Sequence, residues 1–280
     1  MHSLMILSAC AIAWGLRSIP VDTQGSWELR WQRSLFYFLF PPLILITTVF
    51  SIIFMGARGE MLGLEASKFC YWLCFAFIFN LGFHLWKLGD RAWLSRKKIA
   101  SYPEELLQEK KVRFIDIELP YIAQIGFWQP QLVVSKGLLN ILDDSQLEAV
   151  LAHEQAHLHY RDTFCFFWLG WLRSCTFWLH NTETLWEELL LLREIRADLE
   201  AAKTVDALTL AESLLTVAQT SLQPSFCFEA GFSLPLKNNR LVQRVDALIN
   251  DATLPNSPNI VYWSWLLLLL TPWATIPFHC

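Results

Sequence analysis

Charge is what this sequence has least of. Only 17% of its 280 residues are Asp, Glu, Lys or Arg, against roughly 25% in a soluble domain. Hydrophobic residues make up 54%, and the mean hydropathy is +0.33. An ordinary water-soluble domain is thereby excluded, and a mainly α membrane protein is implied. The net charge of −4 is weak and argues against direct nucleic-acid binding. Disulfide logic is missing too. The seven cysteines (Cys10, Cys70, Cys74, Cys165, Cys175, Cys227 and Cys280) form no CxxC and no framework spacing, so they read as reduced, mostly buried thiols, which fits a soluble part facing the cytosol.

Long apolar runs, by contrast, are plentiful. A membrane span needs about 20 apolar residues, and Ser34–Met55, Phe69–Trp86 and Ile260–Phe278 each meet that length. Pro41-Pro42 inside the first of these is tolerated in a membrane helix. Residues 4–19 supply a further, shorter run. No Lys or Arg precedes it and the chain stays apolar after Cys10, so it is expected to be an uncleaved span rather than a secretory signal. About four transmembrane helices are therefore expected: three within residues 1–90 and one at 259–280.

The positive-inside rule orients them. Eight Lys/Arg lie between Lys87 and Arg113, whereas the loop before Phe69 holds only Arg58 and Lys68. The N-terminus is then outside, and residues 91–258 form a cytoplasmic domain of a multi-pass protein in a bacterial-type cytoplasmic membrane. Phe164–Leu179 is apolar as well, but Arg173 interrupts it.

Within 149-AVLAHEQAHLHYRD-162 an otherwise apolar helix carries His153-Glu154-Gln155-Ala156-His157, an HExxH. Histidines four apart share one helix face and can hold one Zn2+, while the adjacent glutamate can act as base on a zinc-activated water. A catalytic zinc takes three protein ligands. The metzincin extension is lacking, since Tyr160 and Thr163 stand where its Gly and third His would be. A carboxylate from a second helix is expected instead. In 189-LLLLREIRADLEAA-202, Glu194 and Asp198 are four apart on one face, where like charges repel and a cation would relieve them. Glu194 is the candidate ligand, with Asp198 hydrogen-bonded to a zinc histidine. A solvated face balanced by Arg193 and Arg196 is the plain alternative, and Glu187 and Glu188 are weaker rivals.

This combination resembles a known family. The HExxH followed by Asp162, an aromatic-rich segment and Glu194-Ile195-Arg196-Ala197-Asp198 is similar to the membrane zinc metallopeptidases of the BlaR/MecR antirepressors, to which HtpX-like and CAAX-protease metallopeptidases are related. The preceding 122-IAQIGFWQPQLVVSKGLLNILDDSQLEAVLAHE-154 resembles them too: a strand pair, a GLL turn and an acidic start to the zinc helix. The resemblance spans about residues 30 to 205. It implies a gluzincin-like α+β domain with a small sheet, an HExxH helix and an ExxxD helix. It also implies zinc on His153, His157 and Glu194, with Glu154 as base. Asp162 and Asp198 stand behind the ligands. Two departures stand out: the external penicillin-binding sensor domain of those receptors is not expected here, and the arginine that precedes their aspartate by two positions is displaced to Arg161.

A zinc site constrains Phe164–Leu179. If it crossed the membrane, Asn181–Arg193 would have to return, but 13 residues make only about 20 Å of helix against a core of about 30 Å. A membrane-associated hairpin at about 164–180, with Arg173 snorkelling, is expected. Phe114–Leu119 and Gln131–Val134 are expected to be strands whose sheet edge could align a peptide. Arg240 and Arg244 could contact substrate or an oxyanion, although a surface helix near phospholipid is the expected setting. His159 is expected off the ligand face.

Three functions fit: a regulatory zinc endopeptidase at the cytoplasmic membrane face, cutting a transcriptional repressor or itself; a quality-control protease for membrane proteins; and a zinc-stabilised scaffold that cuts nothing. Expected partners are the lipid bilayer, a protein substrate, and either a further copy of the chain or a partner membrane protein. The topology has a direct check. Reporters fused after Lys98, His180 and Asn250 should all report cytoplasm, and one after Arg58 the outside. An external signal at His180 would overturn the placement of the hairpin.

Overall fold

The computed structural model describes residues 2–58, 60, 61, 64, 65, 68–108, 110–220, 238–250 and 260–278. It divides into two compact units: residues 1–86, 169–189 and 255–280 form one, and residues 87–168 and 190–254 the other.

The first unit is helical. Helix α1 (His2–Arg17) packs along α2 (Trp27–Met55). Ser26 caps α2 by accepting from the Leu29 amide, and Pro41 and Pro42 lie within it. A two-residue hairpin, β1 (Glu60–Met61) and β2 (Leu64–Glu65), precedes α3 (Lys68–Ala100). Helices α2 and α3 are long and apolar enough to cross a membrane. On α3 the exposed side chains include Phe69, Trp72, Phe79 and Trp86. So many large apolar groups on one helix would be costly in water and are stable in lipid. The 16 residues of α1 give only about 24 Å of helix.

The expected C-terminal span takes another form. Residues Ile260–Leu270 and Trp273–Phe278 are 3-10 helices, separated at Pro272, whose missing N–H cannot continue a helix. Trp265 packs edge-on against Phe36 and Phe40, and Ser51 donates to the Pro272 carbonyl at 2.7 Å.

Two further helices begin in one unit and end in the other, α6 (Asp162–Cys175) and α7 (Thr182–Ala201). The 14 residues of α6 measure about 21 Å, less than the hydrocarbon core. The helix ends before Leu179, and the turn that follows uses Asn181 at φ +57°, a conformation Asn tolerates. The Asn181 side chain donates to the Arg17 and Ile19 carbonyls. Arg173 forms two hydrogen bonds to Glu183 and stacks on Trp186. Arg17 is fully buried, donating to Thr182 and to the Phe38 carbonyl.

The second unit is built on a four-stranded sheet ordered β3 (Glu104–Leu107), β4 (Lys110–Ile115), β6 (Gln131–Ser135), β5 (Ile122–Ile125). The first predicted strand is thus shifted: Lys110–Ile115 forms it, and the chain turns before Leu119. Strand period two sorts the core. Val112, Leu132 and Val134 face α4 (Lys136–Ile141) and α5 (Asp144–His159) through Leu138, Leu147 and Leu151. Ile115, Ala123, Ile125 and Val133 pack on Ile99. Helix α5 starts in a capping box made by Asp143 and Gln146. Its small Ala149 admits Ala201 of α7, Leu210 and Ala211 of α8 (Ala207–Thr220), and Leu248 of α9 (Asn238–Ile249).

The GLL sequence expected to turn is instead the start of α4, where Gly137 donates its amide to the Ile117 carbonyl at 2.9 Å. A Cβ there would meet the Glu118 carbonyl oxygen at 2.0 Å. The side-chain-free backbone therefore lets the 117–119 loop close on α4 beside the zinc-motif helix. Gly137→Ala should cost at least the roughly 1–3 kcal/mol of overpacking, lowering the thermal midpoint in detergent by several degrees. An unchanged midpoint would show that the loop can retreat freely.

Candidate metal centre

The site lies wholly in the second unit, where α5, α7 and α9 converge. His153 and His157 occupy one face of α5, one turn apart, as 3.6-residue periodicity dictates. Helix α7 brings Glu194 to both. The two Nε2 atoms are 3.1 Å apart, and the Glu194 oxygens lie 3.4 Å from His153 Nε2 and 3.7 Å from His157 Nε2. Among the described residues these three are the group able to hold a metal ion.

The opposite edge of each ring explains why. His157 Nδ1 is 2.7 Å from Asp162 Oδ2, and His153 Nδ1 is 2.8 Å from Asp198 Oδ1. A carboxylate at Nδ1 holds the proton there and leaves the lone pair on Nε2. Three acceptors then converge with no donor among them, so a cation must sit between them: a proton, or a metal ion in its place. Tetrahedral zinc, with bonds of about 2.0–2.1 Å, needs donor separations of about 3.3–3.4 Å. The observed 3.1–3.7 Å suits it, and so does the His/His/carboxylate donor set.

Guanidiniums hold the carboxylates. Arg196 of α7 donates to Asp162 Oδ1 and stacks on the Tyr160 ring. Arg193 donates twice to Glu194 Oε1 and lies over Phe166. Arg244 of α9 grips both oxygens of Asp198. Burial would raise the Glu194 carboxyl, but Arg193 and His157 outweigh it and hold it well below the usual carboxylate range. Burial would likewise raise Asp198, and Arg244 outweighs it. Burial pulls the His153 imidazole down, yet Asp198 overrides this and lifts it to about 9.

A cavity of about 330 Å³ opens over the centre. Glu154, buried to 7% exposure, lines it beside the three candidate ligands. Tyr121 to Phe127 also line it, with strand β5 at the sheet edge. Val150, Leu210, Leu214, Phe167 and Leu190 make the remaining surface largely apolar.

The expected site residues fall into three groups. His153, His157, Glu194, Asp162 and Asp198 come together in contact, and Glu154 lies beside them. Glu188 is instead ion-paired to Arg30 at 2.7 Å in the other unit, and Glu187 is outside the cluster. His159 is exposed. Arg244 is not on a surface face: it is 5% exposed and committed to Asp198. Arg240 lines the cavity. Arg193 and Arg196 are not a solvated face either, because their side chains keep only 12% and 16% of their exposure. The arginine partner of Asp162 is Arg196, 34 residues later, and not its neighbour Arg161. No local spacing in the sequence signals that pairing.

The family model for peptidase family M48 matches residues 123–221, about a third of the chain. The matched stretch runs from β5 to the end of α8 and carries both the HExxH helix and the Glu194 helix. It supports a membrane-type zinc metallopeptidase and does not single out the BlaR/MecR antirepressors. Comparison with curated proteins gave no significant match.

A proton and a metal ion compete for the same acceptors. Because His153 stays protonated up to about pH 9, zinc loading near neutral pH should release protons, and zinc affinity should rise with pH toward that value. Calorimetric titration of metal-stripped protein in buffers of different ionisation enthalpy measures this. Proton-free binding at pH 7 would mean that the ion binds elsewhere. Glu194→Ala should abolish tight zinc binding.

Proposed function

We propose that the chain is a zinc endopeptidase working at the cytoplasmic face of a membrane. The observation that carries this reading is the convergence of three metal-ligating groups, His153 Nε2, His157 Nε2 and the Glu194 carboxylate, on one point beside Glu154 in an open cavity. A scaffold that merely stores zinc would have no use for a buried glutamate next to an open metal face.

When bound, zinc would lower the pKa of a water and polarise the substrate carbonyl. The protein's own residues do the rest. Glu154 accepts the proton of the attacking water and returns it to the departing amine. Asp162 and Asp198 keep both rings in the ligating tautomer.

Strand β5 offers a place for the peptide. The Ser135 amide donates to the Tyr121 carbonyl, so Tyr121 and Ser135 are a hydrogen-bonded pair. Pairs then alternate along β5 and β6, which turns the Ile122 and Gln124 backbone groups toward the free edge. A substrate in extended form can add there as a strand. The exposed apolar helix α3 and the long α2 favour a bilayer-bound enzyme, and the Lys/Arg excess after Trp86 favours a cytoplasmic setting for the domain. Regulatory cleavage, of a repressor or of itself, is the proposed role, on the resemblance to the antirepressors.

Glu154→Gln should bind zinc normally and lose cleavage of an unfolded protein by more than about a hundredfold, because the base goes while the ligands stay. Gln124→Pro should keep both zinc and the fold, since an edge-strand N–H turned outward is dispensable to the sheet, yet weaken peptide cleavage. Full cleavage by Glu154→Gln would refute the mechanism, and full cleavage by Gln124→Pro would refute the docking edge.

A further inference from the structure

We propose that Arg244 is a positioning residue for the metal centre: it fixes Asp198, and through Asp198 the His153 ring, in the pose that binds the ion. The proposal rests on the metallopeptidase reading and adds a residue beyond the stretch that carries it. Helix α9 begins 17 residues after the matched segment ends, and nothing in the HExxH or ExxxD pattern points to it.

The two ligand histidines are supported differently. Behind His157, Asp162 is held by Arg196, which sits on α7 two residues after Glu194 and so comes with the ligand helix. Behind His153, Asp198 is held from a separate helix. Arg244 Nε reaches Asp198 Oδ2 at 2.7 Å and Nη2 reaches Oδ1 at 2.8 Å. That same Oδ1 lies 2.8 Å from His153 Nδ1. One oxygen is thus hydrogen-bonded to the guanidinium and in ion-pair contact with the imidazole, and the second Arg244 bond fixes the carboxylate plane. The third guanidinium nitrogen, Nη1, is 3.5 Å from Glu194 Oε2, so a single side chain touches the partner of one ligand and the carboxylate of another.

Burial makes this contact consequential. Asp198 is 0% exposed and Arg244 5%, so a carboxylate deprived of its guanidinium could not turn to water. Val245 and Leu248, on the same face of α9, pack against Ala149, Ala201 and Leu210. They hold the guanidinium in place from the α5–α7–α8 core. Planar two-point contact of this kind is available to Arg and not to Lys.

The test uses the full chain in detergent, stripped with chelator and titrated with zinc, with cobalt as a spectroscopic substitute. Arg244→Met should weaken zinc binding about 10–100-fold, the usual effect of losing a partner behind a ligand, and shift the visible cobalt bands. Arg244→Lys should restore less than a tenth of that loss. Asp198→Asn should weaken zinc similarly. The double variant Arg244→Met/Asp198→Asn should be no worse than the weaker single, because both act along one path. If Arg244→Met does not fold, the double variant, which buries no lone charge, is compared with Asp198→Asn alone: equal affinity supports the proposal, and a further tenfold loss overturns it. Wild-type zinc affinity and an unchanged cobalt spectrum in Arg244→Met would also overturn it. A wild-type chain that binds no zinc would sink the metallopeptidase reading beneath it, whereas a zinc-binding wild type with an indifferent Arg244→Met sinks only this proposal.

Discussion

Two imidazole nitrogens 3.1 Å apart, both turned toward a carboxylate, set the terms for the second unit. Lone pairs do not crowd together unless a positive charge sits among them. The rest of the unit can be understood as the means of keeping that crowd in place: an aspartate at the back of each ring, a guanidinium at the back of each aspartate, and packed helices behind the guanidiniums. Buried charges cost several kcal/mol each unless paired and hydrogen-bonded. Glu154, Asp162, Glu194 and Asp198 face Arg193, Arg196 and Arg244.

That economy explains how a chain so poor in charge carries so much of it in one place. Helix α7 is the clearest case. Its N-terminal half carries Glu183, Glu187 and Glu188, of which Glu183 and Glu188 pair with Arg173 and Arg30 in the first unit. Its C-terminal half carries Arg193, Glu194, Arg196 and Asp198, spaced so that the ligand and its supports fall on the faces toward α5 and α9.

The grouping of the candidate ligands was legible in the sequence because it depends on spacing within one helix. His153 and His157 are one turn apart, Glu194 and Asp198 are one turn apart, and such pairs share a face whatever surrounds them. Asp162 could be read because it closely follows the HExxH helix. What could not be read depends on contact between distant segments: Arg196 reaching Asp162, Arg244 reaching Asp198, and β5 standing at an edge of the sheet. The first strand was misplaced because Phe114–Leu119 is rich in β-formers, yet the Ile117 carbonyl accepts from Gly137 and the chain turns there. The last apolar run is helical, as hydropathy implies, but hydropathy does not signal that it divides into two 3-10 helices at Thr271-Pro272.

The misjudged setting of Arg244 has the same origin. An arginine pair on an amphipathic helix looks like a cationic face, and in isolation a guanidinium belongs in water or against phosphate. Here the face that carries Arg244 also carries Val245 and Leu248, which pack into the core. Hydropathy assigns a charged residue to the outside because it prices the charge without its partner. The price reverses once a buried carboxylate waits at 2.7 Å, since leaving Asp198 unpaired would cost more than bringing the arginine in. Inward-facing arginines in an apolar chain are therefore best sought by first finding the acids that cannot be solvated. In this protein those acids are the ones that hold the histidines.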